Sequence, residues 1–260
     1  MIKALFFDID GTLVSFNTHE IPESTVKAIK MAKANGVKVF ISTGRPKAFI
    51  SSLDSIEPYI DGYITNNGAC SFIGNDVINS NPITPGDVDT IYNYAIGHNH
   101  PMIIMGKDDF AIINNYDTVY SIFYGELRIR VDRNIKPACE VMKGDIYQMT
   151  MFLDPEEEKQ LLAQTKHINS ARWCPDFTDI TDQSADKGTG LEKMAEYLGF
   201  QIDETMSFGD GGNDIPIIKR AGIGVVMGNA SYEVKQYADY VTTSVDEDGV
   251  FNALKHFNVI

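Results

Sequence analysis

The feature that most constrains this chain is a short apolar run that stops on acid. Ala4-Leu5-Phe6-Phe7 is followed directly by Asp8-Ile9-Asp10-Gly11-Thr12. An unbroken run of this length fits a strand buried on both faces of a parallel sheet, whereas a half-exposed strand would alternate apolar and polar. Two carboxylates one residue apart at the end of such a strand are costly to desolvate unless a cation or hydrogen-bond donors compensate. Open parallel sheets collect their functional groups beyond the carboxyl ends of the strands. The first twelve residues therefore predict both an α/β class and the place of the site.

The same grammar recurs. A helix is expected from about Pro22, with Gly36 as its stop. Val37 to Ser42 reads as a strand leading into the turn Thr43-Gly44-Arg45-Pro46, and Gly62 to Thr65 as a strand leading into Asn66-Asn67-Gly68. Near the other end, Leu191, Met194, Ala195 and Leu198 recur at helical spacing, and Gly199 ends that helix. Thr205 to Phe208 then leads to Gly209-Asp210-Gly211-Gly212-Asn213-Asp214, followed by a helix through Lys219 and a strand from Ile223 to Met227. Alternation of this kind predicts a doubly wound, Rossmann-like parallel-sheet core over residues 1–83 and 182–260. Residues 84–181 mix helix-like pieces with strand-like runs at Met102–Met105 and Tyr147–Phe152. They lie between the Pro-rich stretch Pro82–Gly86 and the polar stretch Thr181–Ser184, and predict an inserted α+β domain.

Charge and cysteine content exclude several classes of partner. Lys plus Arg is 22 and Asp plus Glu is 36, so the net charge is 22 − 36 = −14. Nucleic acid and anionic membranes need a basic footprint that is missing here. A small anionic substrate stays open, because a bound divalent cation reverses the local field. Cys70, Cys139 and Cys174 are odd in number and form no CxxC pair, which fits a reducing compartment. The first apolar run is too short for a signal-peptide core, and no stretch approaches the ~18 apolar residues of a membrane span. A soluble cytoplasmic protein is expected; its oligomeric state is not legible.

Four polar clusters fall at predicted strand ends or helix starts: Asp8 with Asp10, Thr43-Gly44-Arg45, Lys187-Gly188, and Asp210 to Asp214. The hard-oxygen set Asp8, Asp10 and Asp210 suits Mg²⁺, which takes few carboxylates and keeps several waters. Each cluster has an ordinary reading by itself. Asp-x-Asp serves turns and caps, Thr-Gly-Arg-Pro is good turn chemistry, Lys187 is a solvated helix start, and Asn66-Asn67-Gly68 is a turn. In this order and together they agree on one answer.

Asp8-Ile9-Asp10-Gly11-Thr12-Leu13 resembles the first motif of the haloacid dehalogenase superfamily of phosphohydrolases. Ser42-Thr43-Gly44-Arg45, Lys187-Gly188 and Gly209 to Asp214 resemble its remaining motifs, in the family's order. The insert resembles the class IIB (C2-type) cap of the Cof-type subgroup, which includes bacterial sugar-phosphate phosphatases. The resemblance implies a Mg²⁺-dependent phosphatase for small phosphate monoesters, hexose phosphates among them, working through an aspartyl-phosphate. It casts Asp8 as nucleophile and Asp10 as general acid and base. Asp8, the backbone carbonyl of Asp10, and Asp210 would hold the metal. Thr43 (hydroxyl and backbone N–H), Gly44, Lys187 and Asn213 would hold the phosphoryl group, and Asp214 would orient Lys187 or metal-bound water. Arg45, Asn67, Arg172 and Asp179 are candidates for substrate contact; for Arg172-Trp173, packing and solvated charge is the competing account. The partner implied is a small phosphorylated metabolite. Two other functions stay open: a phosphosugar mutase, and a phospho-acceptor signalling protein like response-regulator receivers, although receivers are about half this length and lack the insert.

Overall fold

The computed structural model describes residues 1–50, 52–126 and 135–260, apart from the side chains of Glu126 and Trp173. The chain begins with β1 (Ala4–Phe7), the helix Glu23–Ala34, β2 (Lys38–Ser42), β3 (Gly62–Thr65) and the hairpin of β4 (Cys70–Ile73) and β5 (Asp76–Ser80). Next come the helix Pro85–His98, β6 (Met102–Met105), β7 (Phe110–Ile113), β8 (Gln148–Met151), the helix Pro155–Leu162, β9 (Ile168–Cys174) and β10 (Phe177–Asp182). The helix Lys187–Leu198, β11 (Thr205–Gly209), the helix Ile215–Arg220, β12 (Ile223–Val226), β13 (Tyr240–Val241) and the helix Gly249–His256 complete the chain.

These elements form two compact units. One holds Met1–Gly44, Ser52–Ser80 and Asp186–Ile260; the other holds Arg45–Ser51 and Asn81–Ala185. The main borders fall at 80/81 and 185/186, against 83/84 and 181/182 read in the sequence. Pro82 to Gly86 is not a linker throughout: Pro85 opens a helix whose N-cap, Thr84, accepts a hydrogen bond from the backbone of Asp87. Residues 45–51, assigned to the core by sequence, pack in the second unit. There Phe49 is fully buried, its ring 5.0 Å from Phe110 and 5.8 Å from Phe123.

In the first unit the described strands make one sheet in the order β13-β12-β11-β1-β2-β3-β4-β5. All pairings from β13 to β3 are parallel, whereas β4 and β5 add an antiparallel edge that the sequence reading did not contain. From β1 the chain winds outward through β2 and β3, then returns to wind through β11, β12 and β13 on the other side. The reversal makes a switch point between β1 and β11, where a crevice opens at the carboxyl ends. Burial on both faces explains the run in β1: Phe6 stacks on Phe40 at 4.9 Å and Phe7 on Phe208 at 4.7 Å. The helix Lys187–Leu198 ends where expected, on Gly199 at φ +69°.

The second unit carries an antiparallel sheet in the order β7-β6-β8-β10-β9. Its two faces sort by the two-residue period. Met102, Ile104, Met149, Met151 and Ile180 join Ile91, Ala95 and Leu161 of the helices in one core. Ile103, Met105, Phe110 and Phe177 join Phe49, Val119 and Phe123 in another. Among the described residues, no helix is long and apolar enough to cross a membrane.

Candidate active site

The register of the central strands places the site. Phe7 pairs with Phe208 across β1 and β11, and the Asp8 N–H donates to the Phe208 carbonyl at 3.0 Å. Asp8 and the Gly209–Asp214 loop thus emerge side by side at the switch point. Asp8, Asp210 and Asp214 each bring a carboxylate oxygen within 4.8 Å of the others.

Lys187 lies among them and is completely buried. Its Nζ donates to Asp8 Oδ1 at 2.7 Å and to Asp214 Oδ1 at 2.6 Å. This overturns the solvated reading of that lysine. Two glycines on its helix explain how it gets there. A side chain on Gly188 would begin 2.6 Å from the Pro216 carbonyl, and one on Gly190 would begin 2.7 Å from Ile64. The helix therefore lies hard against its neighbours and carries the lysine under the sheet's edge. Gly68, at φ +97°, packs against the Asp186 carbonyl at the start of that helix.

Asp214 organises the last loop. Its Oδ2 accepts from the backbone N–H groups of Asp210 (3.0 Å) and Gly211 (2.9 Å), while Oδ1 takes Lys187. With Oδ1 paired to the Lys187 ammonium and Oδ2 holding two backbone N–H groups, it suits the orienting role better than that of a metal ligand. Asp210 is held differently: Oδ1 accepts from the Thr12 hydroxyl at 2.9 Å and Oδ2 from Asn229 Nδ2 at 3.3 Å. Asp10 is half-buried, and its segment folds back in a bridge to Val14.

Thr43 is buried at the end of β2. Its backbone N–H donates to the Ile64 carbonyl at 2.8 Å, so that group is not a phosphate donor, contrary to the sequence-based expectation. Its carbonyl accepts from the Asn67 N–H at 3.1 Å. Asn66, Asn67 and Gly68 are consecutive left-handed residues, with φ of 52°, 53° and 97°. Asn67 Oδ1 accepts from Asn213 Nδ2 at 3.0 Å, and a side chain on Gly44 would begin 2.9 Å from that same oxygen. Asn67, Gly44, Thr43 and Asn213 are therefore neighbours. Asn229, which no motif pointed to, joins the site from the loop after β12; the only sequence signal was a Gly-Asn pair at a strand end.

Arg45, Arg172 and Asp179 belong to the second unit. Arg45 Nη1 donates to the Phe49 carbonyl at 3.2 Å. Arg172 is a structural clamp: Nε and Nη2 reach Glu158 Oε2 at 2.9 and 2.7 Å, and Nη1 and Nη2 reach the carbonyls of Pro175 and Leu153. Asp179 is buried and accepts from the Thr150 hydroxyl at 2.5 Å. The Trp173 side chain lies outside the described residues.

The electrostatics of the site follow from one ammonium facing several acids. Burial, then Asp214, push the Asp8 carboxyl well above the usual carboxylate range; Lys187 opposes this, and Asp210 and Asp10 add to it. Asp210 is pushed up to about 7, by burial first and Asp214 second, against the Thr12 hydrogen bond. Burial acts to lower the Lys187 pKa, but Asp214 and Asp8 outweigh it and keep the ammonium charged. A hard divalent cation fits this set. Its donors are all oxygens, negative charge is in excess, and the space beside Asp210 is kept clear by a glycine, since a Cβ on Gly11 would begin 2.2 Å from Asp210 Oδ2.

Comparison with known proteins agrees with this geometry. The family model of haloacid dehalogenase-like hydrolases matches residues 5–254. The structure of the HAD subclass IIB sugar phosphatase BT4131 shares 43% identity and a TM-score of 0.90, covering 99% of this chain and 100% of that one. BT1666 from Bacteroides thetaiotaomicron, a phosphatase of the same superfamily, shares 34% identity and a TM-score of 0.87, covering 100% and 96%. YkrA of Bacillus subtilis (strain 168), provisionally named a phosphatase, is 33% identical over 259 residues, 99% of this chain and 98% of its own. A chain with this switch-point cluster and these relatives belongs to the haloacid dehalogenase-like hydrolases, and within them it is a phosphatase, a phosphoric monoester hydrolase.

Proposed function

We propose that this phosphatase hydrolyses small phosphate monoesters, hexose phosphates among them, through a phosphoryl group carried on Asp8, with Mg²⁺ held by Asp8, Asp210 and the Asp10 backbone carbonyl. The observation that carries the reading is the fully buried Lys187 ammonium bridging Asp8 and Asp214 beside Asp210. A carboxylate attacking a phosphate dianion meets like-charge repulsion, and a fixed cation beside it lowers that barrier. When bound, Mg²⁺ would supply further charge neutralisation at the phosphoryl oxygens.

The chain's own residues would divide the reaction as follows. An Asp8 oxygen forms a bond to phosphorus as the bond to the leaving alkoxide breaks. Asp10 gives its proton to that alkoxide, then takes one from the water that attacks phosphorus and frees Asp8. The Lys187 ammonium holds Asp8 in place and stays protonated throughout. Thr43, Gly44 and Asn213, tied together through Asn67, form the cradle on the far side. The phosphatase family excludes a purely signalling phospho-acceptor. The sugar-phosphate substrate class rests on the likeness to BT4131.

The test is phosphate release over a panel of phosphorylated metabolites, with Mg²⁺ and with chelator, for the wild type and for Asp8→Asn. Hexose phosphates should rank among the best substrates, and chelation should stop release. Asp8→Asn should remain folded and lose turnover. Steady turnover by Asp8→Asn, without deamidation, would remove the nucleophile assignment. Transfer of the phosphoryl group to a second sugar, with no free phosphate, would make the protein a mutase.

A further inference from the structure

Both oxygens of the Asp210 carboxylate have a neutral donor, and one of these donors comes from outside the four family motifs. Asn229 stands two residues beyond Met227, whose backbone N–H donates to the Gly209 carbonyl at 3.0 Å. Gly228, between them, approaches the next loop so closely that a side chain there would begin 2.6 Å from the Ser244 nitrogen. That close approach sets the Asn229 carboxamide among three loops. Nδ2 donates to the Gly11 carbonyl at 2.9 Å and to Asp210 Oδ2 at 3.3 Å, while Oδ1 accepts from the Val245 N–H at 3.0 Å. Two acceptors facing Nδ2 and one donor facing Oδ1 fix the orientation of the amide and use both of its N–H groups.

We infer that Asn229 is a positioning residue for the divalent-cation site: it fixes the direction of the Asp210 carboxylate and ties it to the loop that follows Asp8. The inference rests on the cation reading proposed above. The chemistry requires a residue of this kind. A carboxylate crowded by Asp8, Asp10 and Asp214 is driven to turn away from them. A neutral donor can hold it facing the cluster without cancelling the charge a cation needs, which an arginine or lysine at this place would do. Groups that hydrogen-bond a metal-ligating side chain tune its affinity, and their loss costs ~10- to 100-fold. Asn229 is exposed, so truncating it leaves no cavity.

The experiment is calorimetric titration of the full-length chain with Mg²⁺ in the absence of substrate, for the wild type, Asn229→Ala, Asn229→Asp and Asp210→Asn. Asn229→Asp keeps an acceptor for the Val245 N–H but replaces the donor toward Asp210 with a like charge. The Mg²⁺ dissociation constant should rise ~10- to 100-fold in Asn229→Ala, with no recovery in Asn229→Asp and little change in the melting temperature measured in chelator. The Mg²⁺ concentration for half-maximal phosphate release should rise with it, while the KM for substrate at saturating Mg²⁺ stays near the wild-type value. Wild-type affinity in Asn229→Ala, or full recovery in Asn229→Asp, would assign Asn229 only to the 244–247 loop and overturn the inference. If the wild type itself binds no Mg²⁺, the cation reading falls, and this one with it.

Discussion

The Asp210 carboxylate occupies the space in which a side chain on Gly11 would start: a Cβ there would lie 2.2 Å from Oδ2, with Phe16 a further 2.7 Å obstacle on the ring side. Gly11 is also left-handed, at φ +83°, where any other residue is strained. Gly11→Ala should thus act twice. The strain should cost ~1–3 kcal/mol of stability, and displacement of Asp210 should raise the Mg²⁺ requirement ~10-fold or more. Melting in chelator measures the first effect and Mg²⁺ activation curves measure the second. An unchanged activation curve would mean that Asp210 is not a ligand.

Lys187 is the second place where one substitution separates two contributions. Lys187→Met has similar length and no charge, and it strands Asp8 and Asp214 without their shared partner. Breaking a buried ion pair on one side costs ~3–5 kcal/mol. Burial already pushes the Asp8 carboxyl up, and without Lys187 opposing it Asp8 can neutralise by binding a proton, so the loss should be smaller at pH 5 than at pH 8. Denaturant unfolding at the two pH values checks this, and phosphate release should fall below detection at both.

The Asp210 carboxyl makes the stability of the metal-free protein depend on pH. Its pKa rises from 3.8 to about 7 on folding, so between these values the folded chain binds a proton that the unfolded chain has released. The contribution of this group is therefore present at low pH and lost as pH rises through that window. In chelator, wild-type unfolding free energy should decline between pH 5 and pH 8 more steeply than that of Asp210→Asn. Added Mg²⁺ at pH 8 should raise the wild type and leave the variant nearly unchanged. Parallel slopes for the two proteins would show that Asp210 does not titrate there.

Arg172 and Glu158 predict a stability effect without a specificity effect. Burial pushes the Glu158 carboxyl up, yet hydrogen bonds from Ser170, Arg172 and Thr178 outweigh it and hold the pKa below 4.5. That stabilisation is present above the unfolded value and lost as pH falls through the folded one. Arg172→Ala should cost ~2 kcal/mol at pH 7, with the deficit narrowing toward pH 3. The ranking of kcat/KM over a substrate panel should be that of the wild type. A reordered panel would restore Arg172 as a substrate contact.

What the sequence made legible depended on local pattern. β1 and Asp8 could be read because burial on both faces leaves an unbroken apolar run, and the helix ending at Gly199 because its spacing and stop are both local. The burial of Lys187 could not be read, since it depends on how closely Gly188 and Gly190 let the helix approach Pro216 and Ile64. The β4–β5 hairpin escaped although its pairs are local, because β5 reads Asp-Val-Ile-Asn-Ser and is mostly exposed, so no strand period stands out. Asn229 was silent because its partners are not local: Gly11 and Asp210 lie 218 and 19 residues away.

The packing of Phe49 with Phe110 and Phe123 bears on how this family's modules can be exchanged. The second unit is not one contiguous stretch of chain, since Arg45–Ser51 belongs to it as much as Asn81–Ala185 does. A chimera made by transplanting residues 81–185 alone would bring an aromatic socket with the wrong plug, or none. Recombination between relatives should succeed when both pieces travel together, which turns a single crossover interval into two, the smaller beginning one residue after Gly44.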